Sequence, residues 1–233
     1  SLSNDIFSYG GKLNMQTDMT VGKPMKMLLN FTIPVFLGNV FQQLYSMADA
    51  VIVGKFVGTK GLAAVGATGT ITFLIIGFLM GVTTGVTVLT SQKFGAGRMD
   101  EMRKTVGNAA ILSAVIAVVM TAVSMLGMHR LLVFMHTPED IFDGAYGYIM
   151  IICAGIFTQV LYNLVSSILR ALGNSKTPLY FLILAAGLNI VLDLVFIIFF
   201  HWGAPGAAWA TVISQGVSGV LCLIYMWKAV PEL

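Results

Sequence analysis

The sequence contains little charge. Lys and Arg contribute 13 residues and Asp and Glu 10, which is 10% of the 233 residues, whereas soluble domains contain about 25%. A soluble fold of this length needs more charged surface, so this is not a cytosolic enzyme, a nucleic-acid-binding protein or a disordered chain. The chain instead has 57% hydrophobic residues, 25 glycines and 14 methionines. This composition indicates that the chain folds in a lipid bilayer.

Cysteine and histidine are also scarce. The two cysteines, Cys153 and Cys222, lie inside apolar runs, which argues against a disulfide framework and against a zinc site. The three histidines, His129, His136 and His201, fall at the ends of apolar runs. We interpret them as solvated side chains rather than metal ligands, and we predict no cofactor.

Six apolar stretches are long enough to cross a bilayer, which takes about 20 residues at a helical rise of 1.5 Å per residue. The predicted transmembrane helices are 27–53, 62–92, 105–128, 141–169, 178–200 and 204–227. We therefore predict an all-α integral membrane protein with one six-helix bundle over residues 27–228, preceded by a cytoplasmic tail at 1–26. In the second helix, Gly77, Gly81 and Gly85 repeat every four residues and predict a close contact with a neighbouring helix.

Basic residues are distributed unevenly between the two sides of these helices. The side that holds both termini has ten: Lys12, Lys23, Lys26, Lys93, Arg98, Arg103, Lys104, Arg170, Lys176 and Lys228. The other side has three, which are Lys55, Lys60 and Arg130. Because Lys and Arg are retained in the cytoplasm, both termini are predicted to be cytoplasmic, in a multi-pass protein of the plasma (inner) membrane.

Two acids, Asp49 and Asp193, lie inside predicted helices, whereas the others fall in tails, loops or a helix edge. An ionisable group in the membrane costs about 2.5–3.5 kcal/mol on insertion scales, which makes it a functional candidate. No Lys or Arg lies within a predicted helix interior to neutralise either carboxylate. The partner is therefore a proton, a metal cation or a cationic substrate. The helical rise places both aspartates and Thr211 at a similar depth in the outer leaflet.

Polar residues follow helical spacing on four of the predicted helices, which predicts that they face a wet cavity rather than lipid. They are Asn39, Gln42, Ser46 and Asp49; Gln159, Asn163, Ser166 and Arg170; Asn189 and Asp193; and Thr211, Gln215 and Ser218. For the neutral residues taken singly, interhelical hydrogen bonds worth about 0.6 kcal/mol each are the alternative. For the aspartates, function is favoured because an asparagine would serve a structural role.

Several short motifs occur in a specific order along these helices. They are Ile33-Pro34, Gln42-Gln43-Leu44-Tyr45, Asp49-Ala50-Val51-Ile52-Val53-Gly54, Leu62-Ala63-Ala64-Val65-Gly66, Arg170-Ala171-Leu172-Gly173-Asn174 and Lys176-Thr177-Pro178. On these residues the chain resembles the multidrug and toxic compound extrusion (MATE) family over about residues 20–228. The matching part is the first of the two six-helix bundles that such transporters form.

The resemblance implies an antiporter, not an enzyme, that exports amphipathic, often cationic drugs or toxins in exchange for protons or sodium ions. It implies a cation site at Asp49, Asn189, Asp193 and Thr211, which would hold Na⁺ if sodium is the coupling ion. It also implies that Gln42 and Asn163 line the adjoining cavity, to which the helical spacing adds Asn39, Ser46, Gln159 and Gln215.

The expected mechanism is alternation of Asp49 and Asp193 between cation-bound and released states. Cation binding would change the packing of the first helix past a hinge at Pro34 and Gly38, and so expel a cationic drug. Arg170 and the loop bases are expected to set the orientation rather than to bind.

The length departs from the resemblance, because the family's transporters have twelve helices in two bundles. Residues 229–233 are expected to begin the link to a second bundle. That bundle would be the rest of a longer chain, of which this is a fragment, or another copy.

Three other functions remain as alternatives. A lipid-linked oligosaccharide flippase would need several intramembrane Arg or Lys residues, and this chain has none beyond Arg170. An intramembrane aspartyl protease would resemble a Tyr-Asp and Gly-x-Gly-Asp pair, whereas Asp49 follows Ala48 and Asp193 follows Leu192. A structural scaffold would tolerate replacement of both aspartates by asparagine.

Overall fold

The computed structural model describes residues 24–230, which are helical and contain no strand. The seven α-helices are α1 (Pro24–Phe56), α2 (Thr59–Gly95), α3 (Met99–Phe134), α4 (Glu139–Ala154), α5 (Ile156–Ala171), α6 (Lys176–Leu194) and α7 (Gly203–Ala229). A π-helical turn, Val195–Phe199, follows α6. The predicted all-α fold is confirmed.

The predicted tail and link lie mostly outside the described residues, which exclude 1–23 and 231–233. Residues 24–26, predicted as the end of the tail, form the first turn of α1. Proline suits this position because its missing N–H group would have no intrahelical acceptor there.

Five of the helices are individually long and apolar enough to cross a membrane, and the bent pair of α4 and α5 makes a sixth if it is one span. Their outer surfaces are apolar, with Phe73, Leu126, Phe134 and Trp227 between 75% and 85% exposed. Such extensive exposed apolar surface is typical of a lipid-facing protein. The composition and the exposed apolar surface therefore both indicate that lipid surrounds the helices.

The predicted helix 141–169 is broken. It consists of α4 and α5, which meet at Gly155 with a bend of 46°. A Cβ atom at Gly155 would lie 2.2 Å from Val212 Cγ2 of α7, so only glycine allows this close approach of the helices. Gly155 is visible in the sequence, but the apolar runs on both sides of it conceal the break.

The predicted helix 178–200 also changes character near its end. The α-helix stops at Leu194, one residue after Asp193, and the chain continues through the π-helical turn. Single π-helical turns occur frequently at functional sites. Beyond the turn, Trp202 stacks on Phe196 and Phe200 with ring centroids 5.0 and 5.4 Å away, which fixes the chain before α7 begins.

The bundle packs around α7, which contacts α4, α5 and α6. Small side chains make this close packing possible, since Ala204, Ala207, Ala208 and Ala210 are at most 3% exposed. In contrast, α1 is the least buried of the candidate spans and packs chiefly against α6. The bundle therefore has a fixed central helix and a peripheral first helix.

The glycine repeat of α2 does not make its predicted contact within the described bundle. Gly77, Gly81 and Gly85 are exposed, and no atom of another helix within residues 24–230 lies within 4 Å of a Cβ added at any of them. The prediction failed here because a four-residue repeat identifies one face of a helix but not the surface that the face meets. The close helix contacts of this bundle come from α7 and Gly155 instead.

Candidate functional site

The structure separates the predicted polar residues into two places. The first, which we call the acidic cluster, consists of Asp49 on α1, Asn189 and Asp193 on α6, and Thr211 on α7. All four are buried, with Asn189 and Asp193 completely inaccessible and Asp49 8% exposed. The cluster forms where α1 and α7 both pack against α6.

One hydrogen bond fixes the neutral half of the acidic cluster. The Asn189 side-chain Nδ2 donates to Thr211 Oγ1 at 3.3 Å. This bond orients the amide so that its oxygen, Oδ1, remains available as an acceptor. Asp193 lies one helical turn beyond Asn189 on the same face, and its carboxyl group interacts electrostatically with that of Asp49.

Four oxygens of the acidic cluster are buried without a hydrogen-bond partner in the described part of the chain. They are Asp49 Oδ1, Asn189 Oδ1, Asp193 Oδ1 and Asp193 Oδ2. Buried polar atoms are rarely left unpaired, and an unpaired buried charge is costly. Carboxylate, amide and hydroxyl oxygens are donors that hard cations prefer. The arrangement therefore fits a proton or an oxygen-coordinated cation.

The helical pattern alone gave no role to two tyrosines beside the acidic cluster. Tyr45 lies one turn before Asp49, interacts with the Thr211 and Gln215 side chains, and is within electrostatic range of both aspartates. Tyr148 on α4 also lies within electrostatic range of both aspartates. Spacing could have found Tyr45, because it is four residues from Asp49, whereas Tyr148 belongs to an otherwise apolar helix face.

The second place is a cavity of about 300 Å³ among α1, α2, α5 and α6. Six residues singled out in the sequence line this cavity: Pro34, Gly38, Asn39, Gln42, Asn163 and Arg170. The α2 wall consists partly of threonines, and Thr84 donates its hydroxyl to the Met80 carbonyl at 2.8 Å. The cavity wall is thus mixed, with amides and hydroxyls set among apolar side chains.

The face of α5 that lines the cavity differs from the predicted stripe. Asn163, Ser167 and Arg170 line it, whereas Gln159 and Ser166 are buried outside the cavity wall. The Gln159 backbone carbonyl accepts a hydrogen bond from Asn163 Nδ2 at 2.9 Å. Helical spacing from Asn163 was compatible with either Ser166 or Ser167, and in the folded bundle Ser167 is the one that lines the cavity.

Two further predicted cavity residues lie outside its wall. Ser46 is exposed and donates its hydroxyl to the Gln42 carbonyl at 3.0 Å, while Gln215 lies beside Tyr45 rather than in the cavity wall. Arg170 lines the cavity, although its expected role was to set the orientation. The four polar stripes therefore do not converge on one cavity.

The MatE family profile matches residues 34–195, a range that begins at the cavity wall and ends just past Asp193. The chain belongs to the MatE family.

Individual MatE relatives and a solved structure agree with this assignment. The probable multidrug resistance protein YpnP of Bacillus subtilis is 33% identical over 91% of this chain and 47% of its own length. The FAD transporter of Shewanella oneidensis is 27% identical over 85% of this chain and 46% of its own length. The outward-facing structure of a multidrug resistance MATE family transporter of the MOP superfamily superposes with a TM-score of 0.84 and 29% identity, covering 91% of this chain and 46% of that one.

The chain thus spans about half the length of these MatE relatives. The family consists of transporters rather than enzymes, so the protease alternative is not supported. The flippase alternative is not favoured either, because the relatives are named for multidrug resistance and the cavity wall has one formally charged residue, Arg170, among its described residues.

Proposed function

We propose that this chain is the ion-coupling half of a multidrug efflux antiporter in the plasma membrane. The antiporter exchanges a proton or a sodium ion for amphipathic cargo, and a second six-helix bundle completes it. The second bundle is the rest of a longer chain or, alternatively, another copy. The observation that supports this proposal most directly is the set of four buried oxygens in the acidic cluster that have no hydrogen-bond partner among residues 24–230.

The coupling ion binds at the acidic cluster. Two carboxylates in a low-dielectric site cannot both remain charged and unpaired without a large desolvation cost. A proton or a sodium ion removes part of that cost, and the Asn189 amide oxygen adds a neutral ligand. Release of the ion restores the cost, so the occupied and empty states have different free energies of packing.

The first helix, α1, links ion binding at the acidic cluster to the packing around the cavity. Asp49 lies in the acidic cluster, whereas Pro34, Gly38 and Gln42 of the same helix line the cavity. Proline removes one backbone hydrogen bond from the helix interior and weakens it there. Because α1 is the least buried span, it can adopt a second packing at the smallest cost, and ion binding shifts its population.

The cargo binds in the cavity and is released when α1 changes its packing. Apolar side chains and amides together suit amphipathic compounds. Multidrug resistance proteins among the relatives favour drugs or toxins as cargo, and the relative named a FAD transporter indicates that cargo in the family extends beyond cations.

Efflux by the full protein tests this function. Asp49→Asn and Asp193→Asn should insert normally but export ethidium at least about tenfold more slowly under an imposed proton or sodium gradient, since each variant loses a carboxylate of the coupling site. Asp143→Asn, which removes an exposed carboxylate on α4, is the matched control and should export at the parental rate. Parental efflux by both cluster variants would exclude the carboxylate mechanism. Imposing the two gradients separately identifies the coupling ion.

A further inference from the structure

The acidic cluster and the cavity differ in the sign of their charge. The acidic cluster contains both buried aspartates, whereas Arg170 is the one formally charged residue in the described wall of the cavity. No aspartate or glutamate of residues 24–230 lines that wall. A cavity built for a simple cation would place its carboxylates against the cargo, and this one places a guanidinium there.

Arg170 is held in the cavity wall by its own helix. Its Nη2 donates to Ser167 Oγ, one turn earlier on α5, at 3.3 Å, and the side chain is only partly exposed. No ion pair within residues 24–230 joins Arg170 to a carboxylate, whereas Lys93 and Arg98 both pair with Glu101. A guanidinium has five N–H donors, and the bond to Ser167 uses one of them.

These contacts indicate what kind of ligand the cavity binds. A partly buried guanidinium without a carboxylate partner is most stable with an anion, because bidentate pairing with carboxylate or phosphate supplies short, charge-assisted hydrogen bonds. Further along the wall, the Asn163 and Gln42 side chains offer neutral hydrogen-bonding groups, and Met80 and Leu179 offer apolar contact. A group that binds anions and side chains that bind apolar surface therefore line the same cavity.

We propose that Arg170 is the anion-binding residue of this cavity and that its ligands are amphipathic solutes with a carboxylate or phosphate group. The identification of such a solute as cargo rests on the proposed efflux function. The anion binds beside Arg170, and the apolar part of the solute lies along α1 and α2 toward Gln42. A zwitterion satisfies the same site, with its cationic group directed away from Arg170.

Binding of a matched pair of fluorescent probes tests the proposal. The probes are a coumarin acetic acid and its primary amide, which differ in charge but hardly in shape. In phosphatidylcholine nanodiscs without an ion gradient, the full protein should bind the acid about tenfold more tightly than the amide, the magnitude expected of one charge-assisted contact. Arg170→Gln should remove that preference, and Arg170→Lys should retain part of it.

The control variant is Lys176→Gln, which removes the same charge from an exposed residue of the neighbouring turn. It should leave the preference intact. Equal binding of the acid and the amide by the unmutated protein would overturn the proposal, as would an Arg170→Gln variant with the parental preference. If Arg170→Gln does not fold, inorganic phosphate must displace the acid but not the amide from the unmutated protein, and failure of that displacement would overturn the proposal.

Anionic lipid is the other source of such a group. Nanodiscs that also contain phosphatidylglycerol should give the same preference; its loss there would assign Arg170 to a lipid headgroup and contradict the solute assignment. The outcome is separable from that of the efflux experiment. If Asp193→Asn abolishes coupled efflux while the acid shows no preference, only the anion proposal fails.

Discussion

The acidic cluster and the cavity share helices α1 and α6 but carry opposite charge. In the cluster, Asp49 and Asp193 are buried with oxygens that lack partners in the described chain. In the cavity, Arg170 retains unused donors beside amides and apolar side chains. The helical rise puts Asp49 about 10 Å from Gln42 along α1. The difference teaches that ion and cargo can occupy separate sites of opposite charge in one bundle, connected by α1 rather than competing for one carboxylate.

The largest expected effect comes from altering the acidic cluster while both of its carboxylates are kept. Asn189→Leu removes the amide oxygen and leaves Thr211 Oγ1 without the donor that it has now. We expect a loss of about 100-fold in apparent coupling-ion affinity, because buried polar groups without partners cost about 1–3 kcal/mol each. Ion-dependent dye efflux measures this affinity.

Gln159→Leu is the matched control for that substitution, because it also removes a buried amide but lies outside both sites. It should leave the coupling-ion affinity unchanged. Equal losses in the two variants would mean that any buried amide matters, and the acidic cluster would not be a specific site.

A second prediction concerns the helix break beside the cluster. Gly155→Ala forces a Cβ atom against Val212, the residue after Thr211, and should lower the free energy of unfolding by about 1–3 kcal/mol, as overpacked cores do. The double variant Gly155→Ala with Val212→Ala should recover most of that loss. Thermal unfolding of the purified protein compares Gly155→Ala, Val212→Ala and the double variant. If the loss in the double variant equals the sum of the two single losses, the contact between Gly155 and Val212 is contradicted.

The smallest expected effect belongs to the cavity. Gln42→Leu removes an amide from the cavity wall and should weaken binding of the coumarin acid about threefold, typical of one partly solvated hydrogen bond. Gln43→Leu, at the adjacent exposed position, should change nothing. Neither substitution should alter the coupling-ion affinity, and a shift of that affinity by Gln42→Leu would mean that the two sites are not separate.

The sequence predicted the fold because lipid imposes a simple rule on it. Long apolar runs punctuated by Gly, Pro and charge give helices, and their positions correspond closely to the observed ones. The break at Gly155 was not predictable from the apolar run itself, and neither was the close approach of Val212 to Gly155, which exists only in the folded bundle. Local periodicity contains no information about such a contact.

The same limit applies to the polar residues. The helical rise placed Asp49, Asp193 and Thr211 at one depth, and the family resemblance added Asn189 to complete the predicted cation site. Spacing did not separate the cluster from the cavity, since the rotation of each helix is set by packing. For Arg170, the spacing predicted a place facing the cavity, but the count of basic residues on each side accounted for its charge and suggested no binding role.

The central claim is that Asp49 and Asp193 hold an ion that cargo binding elsewhere in the bundle releases. Its most direct test is ion release when the potassium salt of the coumarin acetic acid, the probe expected to bind beside Arg170, is added to purified full protein in weakly buffered solution. A pH indicator and a sodium-selective electrode follow the release. We predict release of protons or sodium ions by the unmutated protein and by Asp143→Asn, and none by the double variant of Asp49→Asn with Asp193→Asn. Undiminished release by that double variant would contradict the account.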